Sequence, residues 1–150
     1  GTIVPQRIWE PLQRGDRSRR VVQGVAFQLP IFFRQRGVVG IPLRTAAGGY
    51  TDSIEDGNYH APVGDRTTTH LTLSWPGYDS FRQEVEFQDS SRRPITIAKL
   101  AERTGRFVQR FIEASQRCLQ LLVRWTVGVP DDRAPPILRE EIIIVGVVHV

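Results

Sequence analysis

The sequence predicts an α+β fold, a mainly antiparallel sheet packed against one long amphipathic helix, and three observations carry that expectation. Apolar and polar residues alternate through residues 67–88 with turn chemistry in the middle. Apolar residues recur at helical spacing through 96–122, and the chain closes on a nearly unbroken β-branched run at 141–150. The composition is globular, with 40% hydrophobic and 24% charged residues, and 150 residues suffice for one domain with its own core.

Each element follows in order. Residues 1–20 read as an N-terminal arm and basic loop, and 21–150 as a single α+β domain. Residues 21–33 are rich in Val, Phe and Ile but broken by Gly24 and Pro30. Two short strands are expected there, with Pro30 at an edge or bend because proline cannot donate to a ladder. Residues 37–43 form a third short extended piece. Residues 45–66 read as a long acidic loop, since Gly48, Gly49, Gly57 and Asn58 are turn formers and apolar periodicity vanishes. Lying between two basic parts of the chain, it is placed to fold back over them.

The 67–88 hairpin is the clearest β element. Leu71, Leu73 and Trp75 point one way and His70, Thr72 and Ser74 the other; Phe81, Val85 and Phe87 alternate with Arg82, Glu84, Glu86 and Gln88. The helix follows, with Thr96 as N-cap and Ile95 stapled onto Leu100. Lys99 stands where a capping box wants Glu or Gln. After a Pro- and Gly-rich loop at 127–136, the β-branched run predicts a central strand at 141–149, buried on both faces and sharing a sheet with the hairpin. A chain that ends on such a strand suggests a piece of a longer protein.

One cysteine excludes an internal disulfide framework and a multi-cysteine zinc site, and fits an intracellular compartment, cytoplasmic or nuclear. Cys118 falls on the apolar helix face with Phe111 and Leu122, where a thiol is inert filler. His60, His70 and His149 are far apart in sequence. The acidic run at 52–58 fails as a calcium loop, because Ile54 and Val63 stand where oxygen ligands are required. No nucleophile elbow, phosphate loop or dinucleotide fingerprint occurs, and Arg14-Gly15-Asp16 lacks the secretory context of an adhesion motif. No cofactor and no enzymatic activity are expected. No apolar run approaches the 18 residues of a membrane span, so no membrane partner is expected.

Charge is more informative than its net value of +4. Nineteen of the 20 basic residues are arginine, residues 1–45 carry +6, and residues 46–65 carry −4. Arginine favours forked contacts to phosphate or carboxylate. Two basic features stand out: Arg14, Arg17, Arg19 and Arg20 near the start, and a helix stripe of Lys99, Arg103, Arg106, Arg110 and Arg117. Glu102 and Glu113 pair with Arg106 and Arg117 at i,i+4 spacing and weaken the stripe's field. Trp9, Tyr50, Tyr59, Tyr78 and Trp125 are the aromatic candidates for a partner surface.

The motif Leu73-Ser74-Trp75-Pro76-Gly77-Tyr78, the helix start Pro94-Ile95-Thr96-Ile97-Ala98-Lys99-Leu100-Ala101, the helical stretch 108–112 and the strand at 143–148 resemble a group of uncharacterised fungal proteins, chiefly of mushroom-forming species. The resemblance covers about residues 67–150 and implies an α+β fold and an intracellular fungal origin, but no activity. The leading functional reading is a non-catalytic interaction module that binds a protein partner or self-associates as a homo-oligomer. The alternative is a nucleic-acid-binding domain that uses the N-terminal arginines and the helix stripe. An enzyme of unrecognised type is the third.

Overall fold

The computed structural model describes Val4 and residues 29–64, 67–115 and 137–148. The rest of the expected arm, residues 21–28, the expected end of the helix at 116–122, the expected loop 127–136, Cys118 and His149 lie outside the described residues. Within them the architecture is α+β, built from short antiparallel strand pairs and one long helix.

The chain enters through β1 (Ile31–Phe32), β2 (Arg34–Gln35), β3 (Val38–Val39) and β4 (Ile41–Pro42). Arg36 and Gly37 both take positive φ between β2 and β3, the conformation a two-residue hairpin turn requires. A short helix α1 (Leu43–Ala47) follows directly. The long loop expected over 45–66 therefore starts later, at Gly48, and residues 48–64 run as turns and bends. Leu43, Ala46 and Ala47 supply the i, i+3, i+4 pattern of one buried helical turn. Thr51, Ile54, Ala61 and Val63 then pin successive turns to the core. The fold-back takes a particular form, in which the Gly37 amide donates to the Glu55 carboxylate and the Glu55 amide to the Arg34 carbonyl at 2.9 Å.

The hairpin forms as predicted, with β5 (Thr68–Leu73) and β6 (Phe81–Glu86) in register from Thr68 opposite Glu86 to Leu73 opposite Phe81. Strict alternation leaves Thr68, His70, Thr72, Arg82, Glu84 and Glu86 outside and turns Leu71, Leu73, Phe81 and Val85 inward. Pro76 and a positive-φ Gly77 make the turn, closed by the Tyr78 amide on the Trp75 carbonyl at 3.0 Å.

Helix α2 (Ile97–Ser115) begins where the sequence placed it. The Thr96 hydroxyl accepts the Lys99 amide at 3.2 Å, the N-cap bond to N3. Its phenylalanine face meets the hairpin: Phe107 lies 5.3 Å from Phe81 between ring centroids, and Phe111 sits among Trp75, Tyr78 and Phe81 at 5.6–5.8 Å. The opposite side is not solvent but α1. At Gly105 the two helices touch so closely that a Cβ would lie 2.5 Å from the Ala47 amide nitrogen and 2.7 Å from the Ala46 Cβ.

The last described segment holds a 3-10 turn (Arg139–Glu141), β7 (Ile143–Ile144) and β8 (Gly146–Val147). It changes partner midway, since β7 pairs with β4 and β8 with β1. Two expectations are corrected here. The segment shares no sheet with the hairpin, and it is not buried on both faces. Ile142 and Ile144 enter the core, but Ile143 and Val145 stand outside, 59% and 44% exposed. A run of uniformly apolar residues carries no alternation from which a one-sided strand can be read.

Gly105→Ala provides a test in which two effects oppose. Alanine gains roughly 1 kcal/mol of helix propensity, yet over-packing costs about 1–3 kcal/mol. With backbone as the obstacle, the variant is expected to unfold at lower urea than the wild type; an unchanged or raised midpoint would show that the α1–α2 contact is loose.

Candidate functional site

The basic stripe on α2 splits once it is folded. Glu102 is buried and takes the Lys99 ammonium at 2.9 Å and the Arg106 guanidinium at 2.7 Å. Arg106 also donates from Nε to the Ala47 carbonyl at 3.4 Å, at the end of α1. Arg106 is thus drawn toward α1. Arg103 turns the other way, to the hairpin, where its Nη2 lies 3.5 Å from the Glu86 carboxylate. Arg110 remains exposed.

Arg103 is under-satisfied. Its side chain is only 20% exposed, its Glu86 partner is 74% exposed, and its Nη1 is buried with no hydrogen-bond partner. A guanidinium offers five N–H donors, and an unmet buried donor costs about 1–3 kcal/mol.

Two adjoining grooves open beside this arginine. One, of about 450 Å³, is lined by His60, the 89–96 stretch and the first turns of α2; the other, of about 670 Å³, by Thr67, Glu86, Gln88 and Arg92. Asp89, Ser90 and Arg103 belong to both. Their shared wall is a loop built around Asp89. Its carboxylate accepts the Ser91 amide at 2.8 Å and the Arg93 amide at 3.0 Å, and pairs with the Arg93 guanidinium at 3.2 Å. The Arg93 amide is the main cause that holds the Asp89 pKa below its ordinary value; desolvation opposes it, and the Ser91 amide and the Arg93 charge add to the lowering.

Across the groove the His60 ring bonds the Pro94 carbonyl through Nδ1. The α2 N-terminus is already occupied: the Ile97 amide donates to Tyr59 and the Ala98 amide to Gly57, both at 2.9 Å, while the Lys99 and Leu100 amides bond Thr96. A ligand in the groove would therefore be met by side chains and not by helix amides.

A second feature is apolar. Of ten exposed large hydrophobic residues among the described residues, eight come from two segments: Leu29, Phe32, Val38 and Val39 from one, Leu138, Ile143, Val145 and Val148 from the other. The β1–β8 and β4–β7 pairings hold those segments together. Phe32 lies opposite Gly146, where a Cβ would approach the Ile31 carbonyl to 2.2 Å, so the strands pack closely beneath the patch. Ile143 leans over Gly40.

The residues singled out from sequence divide accordingly. Tyr50 and Tyr59 are exposed, whereas Tyr78 is half-buried and meets Phe111 edge-on, a core contact and not an open ring. Arg14, Arg17, Arg19, Arg20, Arg117, Trp9 and Trp125 lie outside the described residues. His60 lines a groove and His70 lies on the outer hairpin face; among the described residues no three His, Cys, Asp or Glu side chains gather as a metal site. Sequence reasoning missed Arg92, Arg93 and His60 as neighbours of Lys99 and Arg103, because long-range pairing of 60 with 96 and 88 with 94 assembles them. Comparison with protein-family models, curated proteins and solved structures finds no match to this chain.

The Asp89 loop predicts a signed pH response. Because its folded pKa is depressed, its contribution to the loop is fully present above the unfolded aspartate value and disappears as pH falls through the lower folded value. The Ser91 and Arg93 amide resonances should titrate together with a midpoint below that of an ordinary aspartate, and Asp89→Ala should abolish the titration. A midpoint at or above the ordinary value would contradict the bonding described.

Proposed function

We propose that this protein is a non-catalytic interaction module whose contact surface is the outer face of the β1–β8 and β4–β7 ribbon, and that a second copy of the chain docks there. The observation that supports this reading is the gathering of Leu29, Phe32, Val38, Val39, Ile143, Val145 and Val148 as exposed apolar residues on two paired segments. Scattered exposed apolar residues are ordinary, but a shared apolar face marks an interaction site. The named side chains carry no charge for a partner to match. Two identical patches can therefore bury one another across a two-fold axis, the commonest closed symmetry. Phe32 supplies an aromatic anchor of the kind that concentrates binding energy.

The nucleic-acid reading rests on arginines outside the described residues and on a stripe that Glu102 and Glu86 interrupt. The apolar face has no such internal opposition, so self-association is the better supported reading.

Light scattering across a dilution series provides the test. The wild type should approach a dimer mass as concentration rises. Phe32→Ser combined with Ile143→Thr should weaken association by about tenfold or more, equivalent to roughly 1.4 kcal/mol, with an unchanged circular dichroism spectrum. A monomer at every concentration, or an unaffected double variant, would overturn self-docking on this face.

A further inference from the structure

We propose that the groove between the first turns of α2 and the Asp89 loop binds the phosphomonoester group of a small ligand, with Arg103 as its anchor. This site is separate from the apolar face and does not depend on it. Arg103 is held by one 3.5 Å contact to an exposed glutamate and keeps a buried nitrogen without a partner. When the guanidinium turns off Glu86 into the groove, both terminal nitrogens present a fork to two phosphoryl oxygens, a geometry planar guanidinium is shaped for.

Charge agrees with this ligand class. The two grooves are lined by Arg92, Arg93, Lys99 and Arg103 against Glu86 and Asp89, an excess of two positive charges, while buried Glu102 pairs with both Lys99 and Arg106. A phosphomonoester brings about −1.5 to −2 at neutral pH, whereas a carboxylate brings half that. Lys99 is partly exposed at the groove wall, and from its 2.9 Å pairing with Glu102 it adds a point charge beside the group. The Thr96 hydroxyl also lines the groove, and its oxygen is bonded to the Lys99 amide, so its proton is directed away from that bond. The groove volume, about 450 Å³, lies within the range of small-molecule sites. An extended polyanion fits less well, because Arg106 is committed to Glu102 and Ala47 and the cations do not continue as a track.

Titration of the full chain with phenyl phosphate and with inorganic phosphate, followed by amide chemical shifts at constant ionic strength, tests the proposal. Saturable shifts are expected at residues 57–61, 89–96 and 99–103 with both probes. Saturation by inorganic phosphate alone would overturn the small-ester ligand, as would equal binding of benzoate. Arg103→Gln should weaken phenyl phosphate binding about tenfold or more and Lys99→Gln about threefold, while Arg110→Gln leaves it unchanged. Since Arg103 is largely buried, the exposed Lys99 variant keeps the test decisive if Arg103→Gln folds poorly. Absence of saturable shifts, or an unaltered affinity in Lys99→Gln, would overturn the site. A single-stranded oligonucleotide that bound more tightly in proportion to its length would also overturn it, in favour of a polyanion track.

Discussion

Everything in this structure leans on one helix gripped from two sides. On one side the Phe107 and Phe111 rings of α2 interleave with Trp75, Tyr78 and Phe81 of the hairpin. On the other, Gly105 lets α1 approach until backbone meets backbone. A two-stranded hairpin alone is marginal in water, and so is a helix of five residues. Neither has a reason to persist without α2. The long helix in turn owes its burial to both, which is why charged Glu102 ends up inside and needs two cations to be tolerated there.

This grip also positions the surface features. The strands β1, β4, β7 and β8 are each two residues long, and their inward residues Ile31, Ile41 and Ile144 and the linking Phe33 anchor them to the shared core. With alternate residues spent on the core, the others necessarily face outward, and in a β-branched segment the outward residues are apolar too. The exposed apolar residues are thus a direct consequence of sequence composition combined with one-sided packing. The groove has a different origin. It lies where the α2 N-terminus, capped by the 57–61 turn, meets the Asp89 loop, and its cations come from two parts of the chain, that loop and the first turns of α2.

Legibility in the sequence followed the length of the pattern. The hairpin was readable because apolar residues recur at every second position with only Thr69 and Gln83 departing, and α2 because its apolar residues keep phase over several turns. Thr96 was readable as a cap because its chemistry is local. The 142–148 segment was misread because every residue in it is apolar or small, so neither its exposed side nor its change of partner left a trace. The loop over 48–64 was readable, but not its anchoring: Ile54, Ala61 and Val63 reach the core from irregular turns, and their spacing has no period. The stripe of cations was visible, but not its division, since Glu86 reaches Arg103 only through tertiary packing.

The central claim is that α2 is the most stable element and that the rest is held through it. Native-state hydrogen exchange measures this directly, because amides that open only on global unfolding report the full stability of the fold. The account predicts that Thr104, Phe107, Val108 and Phe111 exchange slowest, and that α1 and hairpin amides never outlast them. Exchange at those α2 positions that is faster than at Phe33 or Ile41, in the β1–β8 and β4–β7 region, would show that the strand ribbon and not the helix organises the core.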